Sequence, residues 1–137
     1  MRTVYVDSGA LIALLRRKDR DHDRVAAHLA ELRRARDRLI TCDAVVSETA
    51  TRLRYDVGLD GALAFRRFLD VAGNDLIVHD SDARLRSAAF EVMAKYADLS
   101  LSFPDCVGAV VARSARASAV FGLDDDFRVL GFALEPA

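Results

Sequence analysis

The sequence predicts an α/β fold built on a mainly parallel sheet, and three observations carry that reading. Short β-branched or aromatic runs alternate with longer helical stretches along the whole chain. Apolar residues make up 52% and charged residues 30% of the 137 positions, the balance of a globular chain. No linker, repeat, low-complexity tract or shift in composition divides the sequence, so residues 1–137 read as one domain of ordinary size.

Taken in order, "TVYV" (3–6) is β-branched and aromatic and predicts the first strand. Asp7 and Ser8 then cap a short helix, "GALIALLRR". "KDRDHDR" is a charged connection, and "HDRVAAHLAELRRAR" carries Val25, Ala26, Leu29 and Leu32 as a helical stripe. "RLIT" (38–41) predicts a second strand. The helix "DAVVSETATRLRYDVG" follows, with Asp43 as its N-cap and Gly58 near its end. "DGALAFRRFLDVAG" (60–73) is another helix, stopped at Gly73-Asn74, and "DLIVHD" (75–80) a third strand. "SDARLRSAAFEVMAKYA" is a helix capped by Ser81 or Asp82. "LSLSF" leads into "PDCVGAVVARSAR", a helix with Pro104 in its first turn. "ASAVFGL" predicts a fourth strand and "GFALEP" a fifth.

Charge and cysteine usage narrow the function classes. A net charge of -1 argues against retention on nucleic acid by bulk charge, while leaving room for a basic groove beside an acidic site. The cations are nearly all Arg, the better bidentate phosphate binder. Cys42 and Cys106 lie far apart in apolar sequence and read as reduced, packed thiols. "MRTVYVDSGALIALL" is no signal peptide, because Asp7 interrupts its apolar stretch, and a cytoplasmic location is the expectation. No glycine-rich phosphate cradle is present, which argues against a nucleoside triphosphatase.

Four acids fall where such a fold places ligands, outside the carboxyl ends of the strands. Asp7 follows the first strand and Asp124 the fourth. Glu48 lies in the second turn of the helix after the second strand, and Asp105 in the first turn after "LSLSF". Each alone has an ordinary explanation. Asp7 caps a helix, Asp105 complements a helix dipole, Asp124 starts a turn and Glu48 sits on a solvated face. Together they are harder to dismiss. Two carboxylates about 4 Å apart repel by about 4 kcal/mol at an effective dielectric near 20. A fold that gathers several needs a cation, and oxygen-only ligands select Mg²⁺ or Mn²⁺. Such sites cut phosphodiesters, by activating water and stabilising charge on the phosphate and leaving oxygen. His22, His28 and His79 are not needed for this and read as structural or solvated.

At this point the sequence resembles the PIN-domain family, and within it the VapC-type toxins of toxin–antitoxin pairs. "VYVDSGALIALL" is similar to the family's opening strand–Asp–Ser/Thr motif. "TCDAVVSETATRLR" is similar to its second motif, "LSFPDCVGAVVAR" to its third and "VFGLDDDFRVLGFALEP" to its closing segment. The resemblance covers nearly the whole chain and implies a three-layer α/β/α arrangement around a sheet of four to five strands. It implies that Asp7, Glu48, Asp105 and Asp124 are the catalytic acids binding Mg²⁺ or Mn²⁺. It also implies ribonuclease activity on transfer, ribosomal or other structured RNA, a cognate VapB-type antitoxin and a homodimer. One departure stands out: where the family often has Thr two residues before the last acid, this chain has Gly122.

Within that frame Asp7 and Asp105 are the expected direct ligands. Glu48 completes the shell or takes a proton from water, and Asp124 acts through a water or a second, weaker metal. Ser8, Ser102 and Asp126 are expected to support the site. Arg16, Arg17, Arg52 and Arg54, with Lys18 and Arg20, are candidate phosphate contacts. The apolar stretches 10–15 and 65–73 are candidate dimer or antitoxin surfaces. Receiver domains and haloacid-dehalogenase-type phosphatases fit poorly. The former need an acidic pair and a late Lys, the latter Asp-x-Asp after the first strand. A PIN nuclease of RNA processing outside any toxin pair, or an inactive module that binds RNA or protein, is the alternative.

Overall fold

The computed structural model describes residues 1–71 and 75–137. Its spine is β1 (Thr3–Val6), hydrogen-bonded on one side to β2 (Arg38–Cys42) and on the other to β4 (Ala119–Phe121). β3 (Leu76–His79) extends the sheet beyond β2, and β5 (Leu134–Glu135) extends it beyond β4. The order is β3-β2-β1-β4-β5, and every described pair is parallel. Val4, Tyr5 and Val6 are buried, as expected of a strand covered on both faces.

Alternation along β1 assigns the helices. Val6, Leu39 and Phe121 share one face with α1 (Ser8–Leu15), α2 (His22–Arg34) and α4 (Leu59–Val71). Tyr5 and Cys42 point the other way, where the Tyr5 hydroxyl lies 3.3 Å from Cys42 Sγ, under α6 (Phe103–Ser114). α5 (Ala83–Lys95) packs on α6, and α3 (Asp43–Asp56) packs against α1, α4 and α6. Gly108 is fixed by this packing, since a Cβ there would run into the Tyr5 ring.

Several sequence expectations change at the element ends. Asp43 is the first residue of α3 and not its N-cap, a position held by Cys42. The Asp43 carboxylate instead accepts from the Ser81 N–H at 2.8 Å and the Ser81 hydroxyl at 2.7 Å, tying the start of α3 to the end of β3. Ser81 being so engaged, Asp82 caps α5 by accepting from the Leu85 N–H at 2.8 Å. The fourth strand is shorter than "ASAVFGL" suggested. Past it, the second and third of the consecutive aspartates lead into a single helical turn, α7 (Asp126–Val129), whose Phe127 is buried against Tyr5 and Phe132. The stop expected at Gly73-Asn74, like Ala72, lies outside the described residues. In α1 the stretch Ala10–Ala13 is buried in the core, so 10–15 is not a free apolar face.

Candidate active site

The sheet order reverses direction between β1 and β4, and ligands of open parallel sheets bind at such a switch point, outside the carboxyl ends of the strands. Asp7 stands directly there. Its N–H donates to the Phe121 carbonyl at 2.9 Å, locking the end of β1 to the end of β4. Beneath it the Thr41 hydroxyl donates to the Val6 carbonyl at 2.7 Å. Thr41 carried no expected role; its one signal in the sequence is a hydroxyl at the end of the otherwise apolar "LIT".

Asp7 holds the N-cap position of α1, yet its side chain makes no capping bond. The residue is 3% exposed, and Oδ1 is buried without a hydrogen-bond partner. Burial pushes the carboxyl pKa up to about 7, the charges of Asp105, Glu48 and Asp124 add to the rise, and the Ser8 N–H opposes it. An unpartnered buried carboxylate oxygen is costly, so its persistence calls for a partner.

All four expected acids line one open cleft of about 410 Å³, together with Ser8, Gly9, Arg52, Ser102 and Leu123. Glu48 reaches it from α3, whose buried Val45, Thr49 and Leu53 anchor the stripe beside it. Asp105 reaches it from the start of α6. Its carboxylate accepts from the Ser102 N–H at 3.0 Å, and the Ser102 hydroxyl accepts from the Asp105 N–H at 3.2 Å, a reciprocal capping box. Helix capping and membership of the acidic cleft are therefore not alternatives for Asp105, whose carboxylate is held by the Ser102 N–H.

The three consecutive aspartates separate. Asp124 lines the cleft, and its Oδ1 accepts from the Asp126 N–H at 2.9 Å. Asp125 faces solvent and pairs with Arg128 at 2.6 Å. Asp126 stands outside the lining, yet desolvation and the charges of Asp124, Asp105 and Asp125 raise its pKa, so it senses the cleft from the rim.

Gly122 also bears on Asp7. A Cβ there would lie 3.1 Å from Asp7 Cβ and 3.6 Å from Oδ2. A side chain at this position therefore points at the first acid, and the glycine leaves that approach open.

Of the candidate phosphate-binding cations, only Arg52 lines the cleft, one helical turn beyond Glu48, with Asp56 3.7 Å from its Nε. Arg16 is engaged by Asp19 at 3.0 Å and Asp56 at 3.1 Å. Arg17, Lys18, Arg20 and Arg54 are exposed and do not line the cleft. His22 contacts the Ala13 carbonyl at 2.9 Å and His28 contacts Glu135 at 3.1 Å, both in the structural roles expected of them. Both cysteines are free and buried. The donor set of the cleft is four carboxylates and two hydroxyls, which suits a hard divalent ion. Among the described residues these carboxylates line an open cleft and do not close into a three-ligand cage.

The family profile described as PIN domain matches residues 4–133. No curated protein matches by sequence. Among solved structures, VapC20 of Mycobacterium tuberculosis, described as a sarcin-ricin loop cleaving toxin, superposes with a TM-score of 0.83 at 23% identity, covering 95% of this chain and 96% of that one. VapBC2 of Rickettsia felis, bound to a DNA fragment from their promoter, gives 0.70 at 14%, with 97% of each chain covered. FitAcB of Neisseria gonorrhoeae gives 0.64 at 16%, covering 96% and 95%. At these identities the likeness is one of fold. Among the described residues no helix is long and apolar enough to cross a membrane.

Proposed function

Because the chain belongs to the PIN-domain family, we propose that it is a Mg²⁺- or Mn²⁺-dependent endoribonuclease, the VapC-type toxin of a toxin–antitoxin pair. The observation that carries this reading is the buried, unpartnered Asp7 Oδ1, in a cleft shared with Glu48, Asp105 and Asp124. A divalent ion bound there would neutralise charge on the scissile phosphate and lower the pKa of water. Asp7 and Asp105 would hold the ion, with Asp124 at the outer side. Glu48 would accept a proton from the attacking water, and Arg52 would meet a phosphate oxygen at the cleft wall. The description of VapC20 as a sarcin-ricin loop cleaving toxin supports structured RNA as the substrate class. The VapBC2 structure supports an antitoxin partner. A partner or second copy would find exposed apolar surface at the α3–α4 junction, where Tyr55, Val57, Leu59 and Leu63 face solvent.

The test is cleavage of a structured RNA with Mg²⁺ or Mn²⁺, with EDTA, and by Asp7→Asn. Cleavage by the unsubstituted protein that is abolished by EDTA and by Asp7→Asn is expected. Equal cleavage by Asp7→Asn, or cleavage that survives chelation, overturns the reading.

A further inference from the structure

The acidic cleft occupies the carboxyl edge of the sheet; the amino edge has the opposite charge. The stretch "RRARDR" (33–38) joins the end of α2 to the start of β2, and Arg33, Arg34, Arg36 and Arg38 are all exposed. Among the described residues none of the four has a carboxylate within ion-pair distance. Two acids near them are engaged elsewhere, and Asp75, which shares their depression, forms no ion pair with any of the four. Asp37 and Glu135 both hold Arg2, at 3.2 and 2.7 Å. Arg33, Arg36 and Arg38 line one depression of about 380 Å³ with Met1, Asp37 and Asp75.

A second observation comes from the backbone. Arg36 has φ 57°, in the left-handed region, at the position just past a helix where glycine is the least strained residue. The Asp37 N–H closes the turn on the Leu32 carbonyl at 3.1 Å. The same device recurs at the end of α6, where Arg116 has φ 54° and the Ala117 N–H bonds the Ala112 carbonyl at 2.9 Å, leading into β4 at the same edge. Complementing a helix dipole accounts for Arg33 and Arg34 in the last turn of α2. It does not account for Arg38 in β2, nor for Arg in place of Gly at two strained positions. Strain kept at exposed cations points to use of the cations.

We propose that the amino edge of the sheet, centred on Arg33, Arg36 and Arg38, is a second docking surface that grips the phosphate backbone of the RNA substrate away from the scissile bond. This rests on the ribonuclease reading above. A β1 of four residues spans only about 13 Å, so a structured RNA can touch both edges at once, and unpaired guanidiniums suit its phosphates.

The experiment measures binding of a stem-loop RNA and of a single-stranded tetranucleotide across a salt series, in a common Asp7→Asn background that does not cut. Arg33→Gln/Arg36→Gln/Arg38→Gln should weaken stem-loop binding and lower the slope of log affinity against log salt by roughly 2 to 3, leaving the tetranucleotide unaffected. Arg36→Gly, which relieves the strain, should keep or raise the melting temperature yet lower the slope by roughly 1. Unchanged stem-loop affinity and slope in both variants overturn the docking surface alone. Loss of affinity for a co-expressed protein partner with RNA binding intact assigns the edge to protein and overturns it as well. If the Arg-intact protein binds no RNA, the ribonuclease reading falls and takes this proposal with it.

Discussion

Asp7 concentrates the electrostatics of the proposed site in one carboxyl. Its folded pKa of about 7 lies above that of an unfolded aspartate. The folded state therefore holds a proton that the unfolded chain releases, and metal-free stability falls as pH rises from about 4 to about 7, then levels off. Asp7→Asn cannot ionise. Denaturant unfolding in EDTA should show this slope flattened in the variant, and a gain of a few kcal/mol over the unsubstituted protein at pH 8; a less stable variant at pH 8 would contradict the assignment. Among the consecutive aspartates, Asp124→Asn should cost on the order of 10²-fold in cleavage and Asp126→Asn up to about tenfold, with Asp125→Asn near the unsubstituted rate. Equal effects in a single-turnover RNA assay would reduce the run to a turn. That the four acids share one cleft was legible, because Asp7 and Asp124 follow strands, Asp105 starts a helix and Glu48 lies in the second turn of the helix after β2. The sequence could not show that Asp7 makes no capping bond or that Arg16 is held by Asp56, since both depend on which distant groups compete for the same atoms.

Elements set the site through their ends. The capping box fixes Asp105 to the first turn of α6, so Ser102→Ala should lose about 1 kcal/mol of stability and reduce cleavage, whereas Ser102→Thr should restore both. Circular dichroism melts beside the nuclease assay would check this, and a Thr variant no better than Ala would exclude capping as the cause. Gly108 sets how closely α6 approaches β1. Gly108→Ala should cost about 1 to 3 kcal/mol by forcing its Cβ into Tyr5. Most elements were legible from period and turn chemistry, as "TVYV" and the α6 run show. The exchange of partners between Asp43, Ser81 and Asp82 was not, because a side chain that looks like a local cap can be captured by a residue far along the chain.

For the molecule as a whole, the alternation of strands and helices made the parallel sheet readable but not its strand order, and the switch between β1 and β4 explains why the acids meet. Charge separation across the sheet was not readable, because the near-neutral total conceals acids at one edge and arginines at the other. Ion binding at the cleft should stabilise the fold. At a Mg²⁺ concentration 100 times its Kd the gain is about 2.7 kcal/mol, and Asp7→Asn should abolish it in thermal melts run with and without the ion.

The position of β4 has a further meaning in time. β1 is flanked on one side by β4, Val4 pairing with Ala119, so synthesis delivers β1 long before the strand that lies beside it. A ribosome that has delivered Asp7, Glu48 and Asp105 has therefore not yet delivered the strand that seats Asp124. Until β4 is made, a growing chain lacks the finished constellation. A protein that cuts RNA would in this way stay harmless to the machine translating it until β4 slides in beside β1.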